Sequence, residues 1–218
     1  MIALYRYLLI SVLLSQRYLP PVLVFLVALF TGTSADSGPL LHAYSFCVLA
    51  VVACSTWLAV AVVNHENAIQ RQVVIVTAGS AQRVLAVTVA VALTGCLFMI
   101  AVGLVYPTVT GRHVVTAGAV AAGAAAQLAA ALIGISLGLL TSRLVIPRVG
   151  VAVLTAVLVL VVLLVVRDAS PVGPLIRLLD RASSPASIAG RLAGLTAISA
   201  AVLAASAIAT HLIARRRE

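Results

Sequence analysis

"LLHAYSFCVLAVVACSTWLAVAVV", Leu40 to Val63, runs for 24 residues without one Asp, Glu, Lys or Arg. A helix of that length rises about 36 Å, and a hydrocarbon core of roughly 30 Å takes about 20 apolar residues to cross. Lipid offers the peptide backbone no hydrogen-bond partner, so only helices and closed barrels span it. Barrel strands alternate polar and apolar residues, and this stretch does not. It is read as a transmembrane helix.

Working outward, the same pattern recurs. Further apolar spans are expected at roughly 19–35, 84–106, 114–140, 149–166 and 192–214, six in all with 40–63. Pro20 and Pro21 suit the start of the first, where a missing amide proton costs little. The composition, 63% hydrophobic and 9% charged, lies far outside the balance of a soluble domain. An all-α integral membrane protein is therefore expected, with residues 1–218 forming one transmembrane domain. Residues 2–17 are apolar but carry Arg6 and Arg17 with Tyr5 and Tyr7, side chains that favour the headgroup region, so an interfacial helix is expected there. This N-terminus lacks the cleavage-site pattern of a signal peptide and is read as retained.

Six spans put both termini on one side. With the N-terminus in the cytoplasm, nine Arg fall inside and five outside, for net charges of +7 and +2. The positive-inside rule thus favours N-in, C-in. All 14 basic residues are Arg, so neither a P-loop lysine nor a Schiff base can form on this chain. These Arg flank apolar spans and make no basic patch interleaved with aromatics, which argues against a nucleic-acid partner. Cys47, Cys54 and Cys96 have no metal-ligand spacing and read as small buried residues.

Between spans two and three lies "NHENAIQRQVVIVTAGSAQRV", Asn64 to Val84. A plain tether needs only a few residues. Here Ile69, Val73 and Val76 follow i, i+4, i+7 spacing with Gln70, Arg71 and Gln72 interspersed, the pattern of a short helix with an apolar stripe. Gly79 suits the left-handed residue that closes such a helix, Ser80 can cap the next, and Arg83 marks the membrane boundary. An apolar stripe on a cytoplasmic loop (64–83) implies that something docks on it. On the opposite side, residues 167–191 form a longer loop with Pro171, Pro174 and Pro185 around "LIRLLDR", which fits either a small interfacial helix or a solvated loop.

Other patterns carry less chemistry. Span four is rich in Ala and Gly, and Gly134 with Gly138 makes a GxxxG pair, suited to close helix packing within the subunit or to a dimer contact. "GISLG" matches G-x-S-x-G, and with His211 near the same membrane level an intramembrane serine hydrolase would use Ser136 as nucleophile and His211 as base. That motif belongs to a strained strand-to-helix turn, whereas here it lies within a continuous helix. "HENAI" starts like a zinc-binding HExxH but ends in Ile69, so no metal site follows. His42 and His113 are lone histidines near the outer face. No span carries an Asp or Glu, and the mid-span Gln127 does not titrate, which disfavours an ion-coupled carrier.

Taken together, an interfacial N-terminal helix, six spans, a cytoplasmic helix after span two and an outer Pro-bearing loop before span six resemble the membrane subunit of ABC-2 type ATP-binding cassette transporters. In that family an acidic residue, a short helix and a small-residue turn ending in a basic residue follow span two. The counterparts here are Glu66, Gln70, Arg71, Gly79, Ser80 and Arg83, with Gly79-Ser80 standing where a Pro is frequent. The resemblance implies a non-enzymatic permease subunit of a bacterial cell membrane, paired with an identical or homologous permease. Separate ATPase subunits would carry ATP and Mg and dock on a coupling helix through Glu66, Ile69, Gln70, Arg71, Val73, Val76, Gly79 and Arg83. An amphipathic or lipid-like cargo moving outward is the expected substrate. A non-transporting membrane scaffold or regulatory subunit is the alternative.

Overall fold

The computed structural model describes residues 1–33, 38–66, 68–111, 113–142, 155, 158, 172–180 and 185–215. Helix makes up 90% of it, and no strand occurs among the described residues, so the fold is all-α. In chain order the helices are α1 (Ile2–Ser15), α2 (Leu19–Thr33), α3 (Leu40–Val63), α4 (Ala68–Ala78), α5 (Ala81–Thr110), α6 (Ala117–Leu140), α7 (Val172–Asp180) and α8 (Pro185–Arg215). Four of them, α3, α5, α6 and α8, are long and apolar enough to cross a membrane. The bent pair α1 and α2 would make a fifth if it counts as one span. The expected span at 149–166 lies outside the described residues, apart from Thr155 and Leu158.

The centre of the bundle is α3 against α6, and α6 packs on its other side against α8. Lipid provides little hydrophobic drive between helices, so this packing depends on close backbone approach through small residues. Ala126, Ala129, Ala130 and Ala131 of α6 are fully buried. A Cβ built on Gly138 would stand 2.9 Å from the Thr56 carbonyl oxygen, and one on Gly134 would stand 2.8 Å from that of Val52. Thus Gly134 and Gly138 are seated on α3 of the same chain. On the far side of α6, α8 turns Ile188, Leu192, Ser199, Ser206 and Thr210 inward. Among the described residues most of its remaining surface is uncovered, with 17% of its spanning window buried against 67% for α3.

Hydroxyls inside the spans are satisfied by their own helices. Ser55 and Thr56 donate to the Val52 carbonyl, Thr88 to Val84, Ser136 to Leu132 and Thr210 to Ser206, at 2.7 to 3.1 Å. Back-bonding of this kind lets Ser and Thr enter lipid without a distant partner. Pro107 is the exception to continuity: it lies inside α5 and, lacking an amide proton, leaves the Gly103 carbonyl without its helical donor. The helix resumes nonetheless, with the Gly111 amide donating to Pro107. Beside this break the Tyr44 hydroxyl of α3 donates to the Leu104 carbonyl at 3.3 Å.

Several expected boundaries shift. The first helix ends at Ser15, before 17, because Gln16 adopts a left-handed backbone (φ 56°) that turns the chain. The bend between α1 and α2 is 71°. At 15 residues α2 rises about 22 Å, too little to cross the core unaided. Span three continues through Pro107 to Thr110, and α8 begins at Pro185, seven residues ahead of the expected start. The stretch expected as an outer loop, 167–191, therefore contains the first turns of α8 and the whole of α7, whose Val172, Leu175 and Leu179 are buried along one face against α3. Over Leu175–Asp180 the "LIRLLD" part of this segment is a packed amphipathic helix rather than a solvated loop, and Arg181 lies outside the described residues.

Contacts between distant segments sort the bundle into two ends. At one end Ser11 bonds to His65 (3.0 Å), the Arg17 guanidinium donates to the Asn64 carbonyl (3.3 Å), and the Gln82 amide pairs with His211 (3.3 Å). At the other, His113 Nδ1 donates to the Gly38 carbonyl (2.6 Å) and His42 meets Asp180 (3.1 Å). Helix α6 ends near the first and α7 lies at the second.

Candidate docking site

The segment after α3 forms α4 at the end of the bundle that gathers Arg17, Asn64 and His211. Its start follows a tight turn, where the His65 amide donates to the Val62 carbonyl, and its close is set by Gly79 at φ +71°. Glycine adopts that conformation without the steric cost a Cβ imposes. Ser80 occupies the cap position of α5 with an extended backbone, but its hydroxyl makes no capping bond. The sequence pattern therefore predicts the location of the break and not that hydrogen bond.

Helix α4 is two-sided. Val74 is 7% exposed and anchors it toward the body, whereas Val73 and Val76 are 59% and 80% exposed. At 100° per residue these two lie within one stripe, and Val74 sits about 100° round from Val73. Ile69 occupies the same stripe by position, but its side chain lies outside the described residues. Gln70 is exposed, Arg71 half-buried, and exposed Arg83 donates to the Ala78 carbonyl at 3.4 Å. Between α4 and the start of α1 is an open groove of about 550 Å³, lined by Met1, Leu4 and Tyr7 on one side and by Val73, Thr77 and Arg83 on the other. The apolar stripe and this groove are continuous, so the face is broader than the sequence pattern implies. Methionine and tyrosine at the N-terminus carry no spacing signal that ties them to α4.

Electrostatics are concentrated in the turn before α4. Burial raises the Glu66 carboxyl above its ordinary pKa, opposed by the nearby Arg71 charge. Burial lowers the His65 imidazole, and the Arg17 charge acts in the same direction. His65 Nδ1 and Glu66 Oε1 are buried without a hydrogen-bond partner. The turn is thus held under α1 through Ser11 and Arg17, and its charge state is coupled to that contact.

The other candidates lie elsewhere. Ser136 is 2% exposed and donates to its own helix, while His211 pairs with Gln82; neither is bonded to the other. Among the described residues no group of three His, Cys, Asp or Glu side chains could hold a metal ion. Gln127 is fully buried midway along α6, beside Gly103, with neither amide atom hydrogen-bonded. A scan against protein-family models, a search of curated proteins and a search of solved structures each return no match to this chain.

Proposed function

We propose that this chain is the membrane-spanning permease subunit of an ABC-2 type transporter, moving an amphipathic or lipid-like substrate outward in a bacterial cell membrane. The observation that carries the reading is the pair of bare valines, Val73 and Val76, on a helix anchored beneath by Val74. Exposing two large apolar side chains at a bundle end is costly in water and is relieved by a protein partner. A chain without lysine has no P-loop of its own, so a separate ATPase would supply the energy and push on α4.

Six spans with both termini in the cytoplasm agree with α6 ending, and α7 lying, at opposite ends of the bundle. The Arg-rich end would face the cytoplasm, as the positive-inside rule requires. A second permease, identical or homologous, would complete the pathway, and ATP with Mg would sit on the partner ATPases. Glu66, Ile69, Gln70, Arg71, Gly79 and Arg83 frame the seat and Val73 with Val76 fill it. The test is co-purification from the native membrane: Val73→Asp and Val76→Asp should each release a P-loop ATPase while the permease remains folded in the membrane. Undiminished ATPase in both preparations would overturn the reading.

A further inference from the structure

A second open groove, of about 580 Å³, runs between the first half of α5 and the last half of α8, floored by Leu132 of α6. Leu85 and Val89 form one wall, and Ala204, Ile208 and Leu212 the other. Gln82 and His211 close one end with their mutual hydrogen bond. The charge pattern fixes its depth. Arg191 and Arg215 bracket the charge-free part of α8, about 36 Å apart along the helix, which places each near a headgroup layer. The α8 wall, Ala200 to Leu212, rises about 18 Å, close to the roughly 15 Å of one leaflet's hydrocarbon. At the Gln82–His211 end α5 also carries Arg83, and α8 reaches Arg215 one turn beyond His211.

We propose that this groove binds one anionic phospholipid of the leaflet on the Arg-rich side, its acyl chain along Leu85, Val89 and Ile208 and its phosphate at the Gln82–His211 mouth. Three features select that occupant: the apolar length is one leaflet, the polar pair sits only at the headgroup end, and the surrounding charge is positive. The inference rests on the membrane-spanning character of α5 and α8 and is independent of ATPase docking on α4.

Tryptophan quenching by brominated lipid tests it on the full chain. Trp57, the sole tryptophan, is 47% exposed on α3 and does not line the groove, so it serves as the reference. A Trp57→Phe/Ile208→Trp variant reports the groove, and Trp57→Phe/Leu212→Trp repeats the measurement at its mouth. Each is reconstituted in phosphatidylcholine vesicles containing increasing fractions of brominated phosphatidylglycerol. Half-maximal quenching of the introduced tryptophan, in either variant, is expected at a mole fraction about fivefold below that for Trp57 in the parent chain, the worth of one basic side chain near an anionic headgroup. Adding Ala204→Phe, which fills the groove, should abolish the difference. Quenching equal to that of Trp57 at both positions would overturn the proposal, as would no quenching at either, the result if protein covers the groove.

Discussion

Replacing Gly138 by Ala tests the close backbone contact between α3 and α6. The added Cβ would meet the Ala59 Cβ at 2.5 Å, the Thr56 carbonyl oxygen at 2.9 Å and the Val60 amide nitrogen at 3.2 Å. Carbon atoms pack best at about 3.5 to 4.0 Å, so α3 and α6 must part by roughly 1 Å. Two of the three obstacles are backbone, which no rotamer change relieves. Overpacking of this kind costs about 1 to 3 kcal/mol. Gly194 of α8 is the control, because a Cβ there meets nothing within 4 Å. Both changes gain the same helix propensity, which cancels in the comparison. Gly138→Ala should therefore be about 1 to 3 kcal/mol less stable than Gly194→Ala, a factor of roughly 5 to 150 in the unfolding equilibrium. Titration of the purified protein in mixed micelles with SDS, read by Trp57 fluorescence, gives both values. Equal stabilities would refute the close α3–α6 seat. A Gly138→Ala protein of unchanged stability that no longer self-associates would relocate the pair to a subunit contact.

Other perturbations read other parts of the chain. Gln16→Gly relieves the left-handed backbone between α1 and α2 and should stabilise by about 1 kcal/mol in the same titration; a loss would mean Gln16 has a contact worth more than its strain. Gln127→Met, which keeps volume but removes two unpaired buried polar atoms, should leave stability unchanged or raise it by about 1 to 3 kcal/mol, and a clear loss would reveal a partner for the amide. The turn before α4 makes stability depend on pH in two opposite ways. His65, lowered in the folded state, contributes stability that is complete above its unfolded value near 6.5 and is lost as pH falls toward the folded value. Glu66, raised in the folded state, contributes stability that is complete below its unfolded value near 4.5 and is lost as pH rises through the folded value. Melting temperatures across this range should lose the first dependence in His65→Gln and the second in Glu66→Gln, and profiles parallel to that of the parent would contradict both.

The long spans are legible because their signal is redundant. The charge-free run between Asp36 and Glu66, trimmed by the turn residues Ser37-Gly38-Pro39 and the polar Asn64-His65, delimits Leu40–Val63, and α3 has those ends. Charges and Pro mark the limits of spans three and six less well. Helix α5 includes Arg83 and Pro107, since a long Arg side chain reaches the headgroups from inside a helix and a Pro near the end costs only one carbonyl partner. The bend at Gln16 has no signature, for glutamine is not a residue that announces a left-handed backbone. In the candidate site the helix, its valine stripe and the Gly79 close are readable from i, i+4, i+7 spacing and turn chemistry. The α1 wall of the groove is not, because the placing of Tyr7 opposite Val73 is set by how α1 turns at Gln16. Likewise the α5–α8 groove lies where two helices far apart in sequence both pack on α6, which no local pattern records.

The most direct measurement places a photo-crosslinking amino acid at position 76 of the full chain in its native membrane, with position 97, exposed midway along α5, as control. An adduct at 76 whose peptides include a G-x-x-x-x-G-K-[ST] loop, absent at 97, is the predicted result. A position 76 that yields only lipid adducts, or no adduct, in intact native membranes containing the folded full chain would contradict docking on α4.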